Sequence, residues 1–365
     1  MKTNNVIYVL LVGCGRIVSK HVAAIKSCGV DNIQIVGVVD IDLAKAKKYG
    51  ELLSVPYYNS LEDLNDSVNI DLAVVMTDSG THFSVASELL SKGFDVLVEK
   101  PMALTLEHAN EMINLAKKLN RNLFVVKQNR FNDAVQKVRS VVLEKKLGQL
   151  NSAAVCVRWC RDQKYYDQAS WRGTWLDDGG VIANQAIHHI DLLVWFMGDV
   201  ECVSAFDANL MSKFEAEDTI CAIVKFKSGA LGVIEATTAA RPNNIEGSLS
   251  LLGSAGYAKI GGHAVNELTS LITKEVTPEV TLRDNNGVQD TADVYGDGHQ
   301  SIYREIIKFL KGSTNTAVLG DDGIESLRLI HMIYRSVETG KPVYNTGVDS
   351  EISSVRLGRN KGLST

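Results

Sequence analysis

The stretch VIYVLLVGCGRIVSKHVAAIKS, residues 6–27, decides the fold. Residues 6–12 are a continuous apolar run of strand length. Gly13-Cys14-Gly15 interrupts it, and a helical pattern runs on to Ser27. Strand, glycine turn and helix in that order let backbone N–H groups at a helix N-terminus approach a pyrophosphate. The third glycine of that fingerprint is replaced by Val18, so looser helix–strand packing is expected there. The next run, 33–39, leads to Asp40, 25 residues after Gly15. An acid near that spacing accepts hydrogen bonds from the adenosine ribose, and it repels a 2′-phosphate, so the cofactor expected is NAD and not NADP. The competing reading of Asp40 is an N-cap for the following helix.

Working outward, short apolar runs alternate with helical stretches through the first 128 residues. Strands are expected at 72–76, 96–98 and 123–126, and helices at 43–53, 82–92 and 106–119. Runs apolar on nearly every residue are buried on both faces, which together with the helices predicts a doubly wound parallel sheet. After residue 129 the pattern changes. One helix, 133–146, leads to strands at 152–160, 203–208, 219–226, 231–237, 248–252 and 268–273, and helices return at 301–311 and 323–339. TICAIVKF (219–226) alternates polar and apolar residues, as strands of an antiparallel sheet covered on one face do. The expectation is an α/β chain with a Rossmann domain at 1–128. An α+β domain with a large, mostly antiparallel sheet, serving substrate binding and oligomerisation, is expected at 129–365.

Composition narrows the function. The chain has 365 residues, 45% hydrophobic and 22% charged, with a net charge of −5. No global basic field attracts nucleic acid, so any anionic ligand has to meet local arginine or lysine. Six cysteines include no C-x-x-C pair, and reduced thiols with no metal are expected. Cys156 and Cys160 fall four apart in the 152–160 run, hence on one face of it. LVGC (11–14) has the look of a lipoprotein cleavage site, but cleavage there would destroy the glycine turn. A cytoplasmic protein without membrane spans is the expectation.

Two further motifs carry chemistry. Glu99-Lys100-Pro101 follows the 96–98 strand, and strand C-terminal ends are where open α/β sheets place ligands. A lysine there can hydrogen-bond a substrate hydroxyl beside the nicotinamide. The run DGGVIANQAIHHID (178–191) sets Asn184, His188 and Asp191 at i, i+4 and i+7, one face of a helix. Adjacent histidines point apart, so at most one of His188 and His189 is expected to be catalytic. Asp191 either orients His188 or pairs with a distant group.

Together these motifs resemble the glucose–fructose oxidoreductase / inositol dehydrogenase (Gfo/Idh/MocA) family over essentially the whole chain. The segments KQNRFND (127–133), WRGTW (171–175), DGGVIANQAIHHID (178–191), IEATTAARP (234–242) and GSLSLLGSAG (247–256) are most like those of its UDP-N-acetylglucosaminuronate 3-dehydrogenases (WlbA/WbpB type). The chain departs from the family pattern at Asn184, where an Asp is usual, and at Asp78, where a Pro is usual. Asn184 cannot titrate, so it positions substrate.

The resemblance implies that Lys100 and His188 are catalytic. It implies that Gly13, Gly15, Arg16, Ile17, Asp40, Thr77, His82, Glu99, Lys100, Gln128, Trp171 and Arg172 bind the cofactor. Asn184, Gln185 and His188 would bind substrate. It also implies a cis Lys100–Pro101 bond, a homotetramer, and a downstream aminotransferase in surface-polysaccharide synthesis. A UDP-sugar acid brings phosphate and carboxylate charges, for which Arg158, Arg161, Arg172 and Arg241 are candidates because a guanidinium binds such groups bidentately. Arg158 and Arg241 are the expected substrate ligands. The activity implied is NAD-dependent oxidation of the C-3 hydroxyl of UDP-N-acetylglucosaminuronate. The same fold serves other pyranoside and inositol dehydrogenases, NAD-dependent glycoside cleavage, and noncatalytic NAD-binding regulators.

Overall fold

The structure, a computed structural model, describes residues 6–64, 68–211, 213–274, 298–313 and 316–359. The chain divides into two compact units, Met1–Lys127 with His299–Ile324, and Gln128–Gly298 with Glu325–Thr365.

The first unit runs β1 (Ile7–Val12), α1 (Val18–Ser27), β2 (Ile33–Val39), α2 (Leu43–Leu53), β3 (Tyr57–Tyr58), β4 (Leu72–Val75), α3 (His82–Ser91), β5 (Asp95–Val98), α4 (Leu106–Leu119) and β6 (Leu123–Val125). Its sheet is parallel throughout, in the order β3-β2-β1-β4-β5-β6. The expected doubly wound sheet is borne out. Val9, Leu10, Leu11 and the whole of β4 are buried, as continuous apolar strands between helix layers must be. The strand order reverses at the β1/β4 boundary, which opens a crevice at their C-terminal ends. Local chemistry sets the helices. The Asp42 side chain accepts from Ala44 N at 3.1 Å and caps α2, while Thr105 caps α4 through His108 N. The α4 helix carries Glu107 in its first turn and Lys117 and Lys118 in its last, charges that suit the helix dipole.

The second unit continues with α5 (Asp133–Leu143), β7 (Leu150–Arg158), α6 (Gln163–Tyr166), α7 (Ile187–Met197), β8 (Val200–Ala208), β9 (Thr219–Phe226), β10 (Leu231–Thr237), β11 (Glu246–Gly253), β12 (Tyr257–Gly261) and β13 (Glu267–Ile272). The chain then forms α8 (Gly298–Leu310), α9 (Gly320–Thr339), β14 (Val343–Tyr344) and α10 (Asp349–Ile352). An eight-stranded sheet has the order β13-β12-β11-β7-β10-β9-β8-β14. It is antiparallel except where β7 pairs with β10, the mostly antiparallel sheet expected. On one side, α7 packs against β7 and β11, and α5 against β12 and β13. Along β9 burial alternates residue by residue, so the other side is open.

Residues 299–324, expected with the second domain, pack in the first unit. Leu319 bridges Phe124 of β6, and Phe309 meets Phe124 edge to face at 5.4 Å. Cys156 and Cys160 do not share a strand face, because β7 ends at Arg158. Instead the Cys160 thiol donates to Pro242 O and the Cys156 thiol to Glu246. All six cysteines are free thiols.

Candidate functional site

In the first unit the site is built from strand ends. Gly13 has φ +96°, and a Cβ there would stand 2.7 Å from the Met76 backbone and 2.8 Å from Thr77 N. Only glycine lets the β1 turn pass this close to the end of β4. Beside Gly15 a Cβ would meet nothing within 4 Å. No side chain caps α1 and its first turn holds no acid, so the N–H groups of Val18 and Ser19 at its start suit an anion.

Asp40 holds the turn. Its Oδ2 accepts from Cys14 N at 2.7 Å and its Oδ1 from Asp42 N at 2.8 Å. The cap of α2 is Asp42, so the competing reading of Asp40 is set aside. Each carboxylate oxygen retains a lone pair for a ribose hydroxyl. A close-approach glycine, an uncapped helix start and a half-free carboxylate fit a dinucleotide. Arg16 is exposed and Ile17 half-buried at the same helix start.

The ends of β4 and β5 are tied by one ring. His82, 1% exposed, sets Nδ1 2.7 Å from Pro101 O and Nε2 3.0 Å from Thr77 O. Burial lowers its pKa against the pull of those carbonyls. The Thr77 hydroxyl accepts from Thr81. Lys100–Pro101 is cis. The Glu99 carboxylate accepts from Lys100 N at 3.0 Å and from His21 Nε2 at 2.9 Å. Although burial raises its pKa, the His21 hydrogen bond and the nearby His299 ring outweigh that and hold it well below the usual carboxylate range.

In the second unit, DGGVIANQAIHHID is not one continuous α-helix. Val181–Gln185 is a π-turn closed by Ala186 N donating to Val181 O, and α7 starts only at Ile187. The single helical face expected for Asn184, His188 and Asp191 is therefore broken. The Asn184 amide donates to Asp178. Gln128 Nε2 lies 3.3 Å from His188 Nε2, which makes that ring nitrogen an acceptor. Asp191 takes the distant pairing, accepting from buried Arg130 at 2.7 and 2.8 Å. His189 is fully buried, edge-on to Trp159, and burial pushes its pKa down to about 4.

Tyr165 gathers several of the remaining residues. Its hydroxyl accepts from Gln185 at 2.9 Å. The Arg172 and Arg161 guanidinium carbons lie 4.3 and 5.3 Å from its ring centre. Arg172 also lies 5.1 Å over Trp171, and its Nε and Nη1 are buried without hydrogen-bond partners. Arg241 is exposed and folds onto the backbone, donating to Ala240 O, Thr238 O and Arg161 O.

Arg158 is engaged elsewhere. It forms a two-pronged pair with Glu235 at 2.6 and 2.7 Å. Strand alternation places both on the open face of the sheet, while α7 covers the other, so Arg158 does not join Asn184 and His188. Sequence reasoning missed Tyr165 and Glu217. Glu217 Oε1 accepts from Ile182 N and from Tyr334 OH, both at 3.0 Å, and its backbone O accepts from Val181 N. A Cβ on Gly180 would overlap its carboxyl group. Only the paired glycines hinted at a neighbour there.

Residues 7–127 match an oxidoreductase family with an NAD-binding Rossmann fold, and residues 139–344 match that family's C-terminal alpha/beta domain. A WlbA dehydrogenase from Chromobacterium violaceum, solved with NADH and UDP-GlcNAcA, is 37% identical. The alignment covers 94% of this chain and 96% of that one, with a TM-score of 0.85. The Bordetella pertussis WlbA dehydrogenase, solved with the same two ligands, is 35% identical over 93% and 99%, with a TM-score of 0.84. Among curated proteins, the Thermotoga maritima myo-inositol 2-dehydrogenase is 26% identical over 340 residues, 91% of this chain and 97% of that protein.

Proposed function

The chain belongs to the Gfo/Idh/MocA oxidoreductase family and is an NAD-dependent oxidoreductase acting on CH–OH groups, and from that premise we propose that it oxidises the C-3 hydroxyl of UDP-N-acetylglucosaminuronate to a ketone. The observation that carries this reading is the 37% identity over 94% of the chain to a dehydrogenase solved with UDP-GlcNAcA, against 26% to an inositol dehydrogenase. The buried, unpartnered nitrogens of Arg172 beside the Tyr165 ring support it. A guanidinium and an aromatic ring suit an anionic nucleotide sugar.

When bound, NAD⁺ supplies the hydride acceptor. The protein's own part is proton handling and placement. Lys100 donates from its ammonium to the C-3 oxygen and stabilises the developing alkoxide. His188 takes the hydroxyl proton, imidazole being the side chain that exchanges a proton most readily near neutral pH. The Gln128 contact marks Nε2 as the ring nitrogen with the lone pair, and the substrate hydroxyl displaces that amide to hand over its proton. Asn184, tied to Asp178, holds a sugar group without titrating. In the first unit Gly13, Gly15, Arg16, Ile17 and Asp40 hold the dinucleotide. Thr77 and His82 set the strand-end loops around Glu99 and Lys100.

A 3-keto sugar is a substrate an aminotransferase can use, and a step in surface-polysaccharide sugar synthesis is part of the proposal by family resemblance. A cytoplasmic location is part of this reading, and no described helix is long and apolar enough to cross a membrane. The open sheet face is read as the surface of self-association, toward a tetramer. The whole-chain likeness to an inositol dehydrogenase favours a second reading, oxidation of a free polyol.

NADH absorbance separates the two. UDP-GlcNAcA with NAD is expected to raise NADH absorbance and myo-inositol is not, and a 2-keto acid added afterwards, as a control to reoxidise retained NADH, is expected to reverse the signal. The reverse pattern assigns the polyol. Lys100→Met is expected to abolish most hydride transfer while NAD still binds, and Lys100→Arg not to rescue it.

A further inference from the structure

Behind the Glu99–Lys100 turn lies a chain of buried groups that the proposed chemistry does not use. Tyr303 on α8 and His21 on α1 are both fully buried, and Glu99 is 8% exposed. Tyr303 OH is 2.6 Å from His21 Nδ1. His21 Nε2 is 2.9 Å from Glu99 Oε1, and Glu99 Oε2 is 3.0 Å from Lys100 N. His299 brings its Nε2 to 3.8 Å from Glu99 Oε1 and stands edge-on to His21 at 5.2 Å.

The proton assignments follow from the chemistry of the ends. An ionised carboxylate only accepts, so His21 Nε2 carries the hydrogen. Burial lowers the His21 pKa despite Glu99, and a neutral ring then has an accepting Nδ1. Burial also raises the Tyr303 pKa well above its usual value, so its hydroxyl stays protonated and donates. Tyr303 thereby selects the tautomer, and the tautomer holds the anion, as outer partners do for ligating histidines.

We propose that Tyr303, His21 and Glu99 form a buried positioning relay that fixes the backbone of Lys100. His21 and Tyr303 act through Glu99 and touch no substrate. The relay ties α1, whose N-terminus opens the cofactor turn, to the residue that donates to the substrate. An ionised carboxylate in a buried place is tolerated only when it is hydrogen-bonded, and here its second oxygen is spent on the Lys100 amide. His21, Glu99 and His299 also bring ligand atoms within 4.8 Å of one another. The 2.9 Å separation of His21 from Glu99 is a hydrogen bond, which a metal between them would abolish. The charged and titratable groups facing Glu99 are His21 from α1, His82 from α3, His299 and Tyr303 from α8, and the adjacent Lys100.

The inference rests on Lys100 being the donor, and the test keeps the two apart. Imidazole ¹⁵N NMR of the full-length protein is expected to show His21 as a neutral Nε2–H ring across neutral pH, whatever the substrate. A charged ring or the Nδ1–H tautomer overturns the relay. With UDP-GlcNAcA and NAD, His21→Met is expected to lower kcat about 10- to 100-fold, the scale for partners one step removed from a reacting centre, with KM for NAD nearly unchanged. Losing its donor raises the pKa of Glu99, so kcat gains a new limb that rises with pH. His21→Gln, which keeps an amide donor near Nε2, restores most of the rate and removes the limb. Tyr303→Phe falls between them and serves if the His21 variants fold poorly. Equal rates for His21→Met and His21→Gln overturn the proposal, as does a loss carried by KM for NAD. So does stoichiometric zinc, found by elemental analysis, whose chelation abolishes activity. If the wild type leaves UDP-GlcNAcA untouched, the substrate reading fails and the NMR result alone judges the relay.

Discussion

Asp40 shows one carboxylate serving fold and ligand together. Both oxygens already accept from backbone N–H groups of its own turn and of the glycine turn, and each keeps capacity for one further bond. Asp40→Ala is expected to weaken NAD by the loss of charged-acceptor bonds, each about 1.5–3 kcal/mol, and to narrow the preference over NADP. Titration of both dinucleotides checks it, and an unchanged ratio removes Asp40 from the ribose. The histidine pair gives a second residue-scale prediction. His188→Asn is expected to lose most turnover, about 10²–10⁴-fold for a general base, and His189→Asn far less. The reason is that His189 is buried against Trp159 with no hydrogen-bond partner at either nitrogen. Single-turnover rates decide the ranking. Lys100 and His188 were legible as types at telling positions, but Tyr165 was not, because nothing in its spacing marks the ring on which two arginines rest.

At the scale of elements, the π-turn Val181–Gln185 is the departure from pattern. A periodicity of 3.6 predicted one helix face, but a carboxyl group beneath the turn altered it. Glu217 binds the Ile182 amide, and Gly180 leaves it room. Burial pushes the Glu217 pKa up to about 8 from 4.5. The folded state then holds a proton that the unfolded chain releases above about 4.5, so stability is lost as pH rises from there toward 8. At about 1.4 kcal/mol per pKa unit the effect is a few kcal/mol. Glu217→Gln mimics the protonated acid and is expected to flatten this decline. Melting temperatures of both proteins across that window test it, and parallel curves would mean that Glu217 does not titrate there. The strands and long helices were legible because their periods are local. The short β3, β12 and β14 were not, since two to five residues carry too little pattern and exist by pairing with neighbours.

For the whole molecule, the open face of the large sheet is the unspent feature. Phe206, Ile223, Val233 and Tyr344 are 80%, 61%, 52% and 60% exposed, and Ile223 pairs with Val233 at its centre. Large apolar side chains this exposed on one open sheet face ask for a cover. Self-association is expected, and Ile223→Lys with Val233→Lys is expected to dissociate the assembly without changing the circular dichroism of the fold. Light scattering gives the mass; a wild-type mass of one chain removes the reading.

The sequence by itself determined the Rossmann half, since glycine turn, strand burial and acid spacing are local codes that one chain segment carries alone. It also carried the family, through strings such as EKP and NQAIHHID. Only the tertiary structure decided which groups distant in sequence meet: Tyr303 with His21, 282 residues apart, Asp191 with Arg130, 61 apart, Arg158 with Glu235, 77 apart, and residues 299–324 with the first unit. Those pairings are set by which faces bury and which charges need a partner once buried. No period or spacing along the chain encodes that choice.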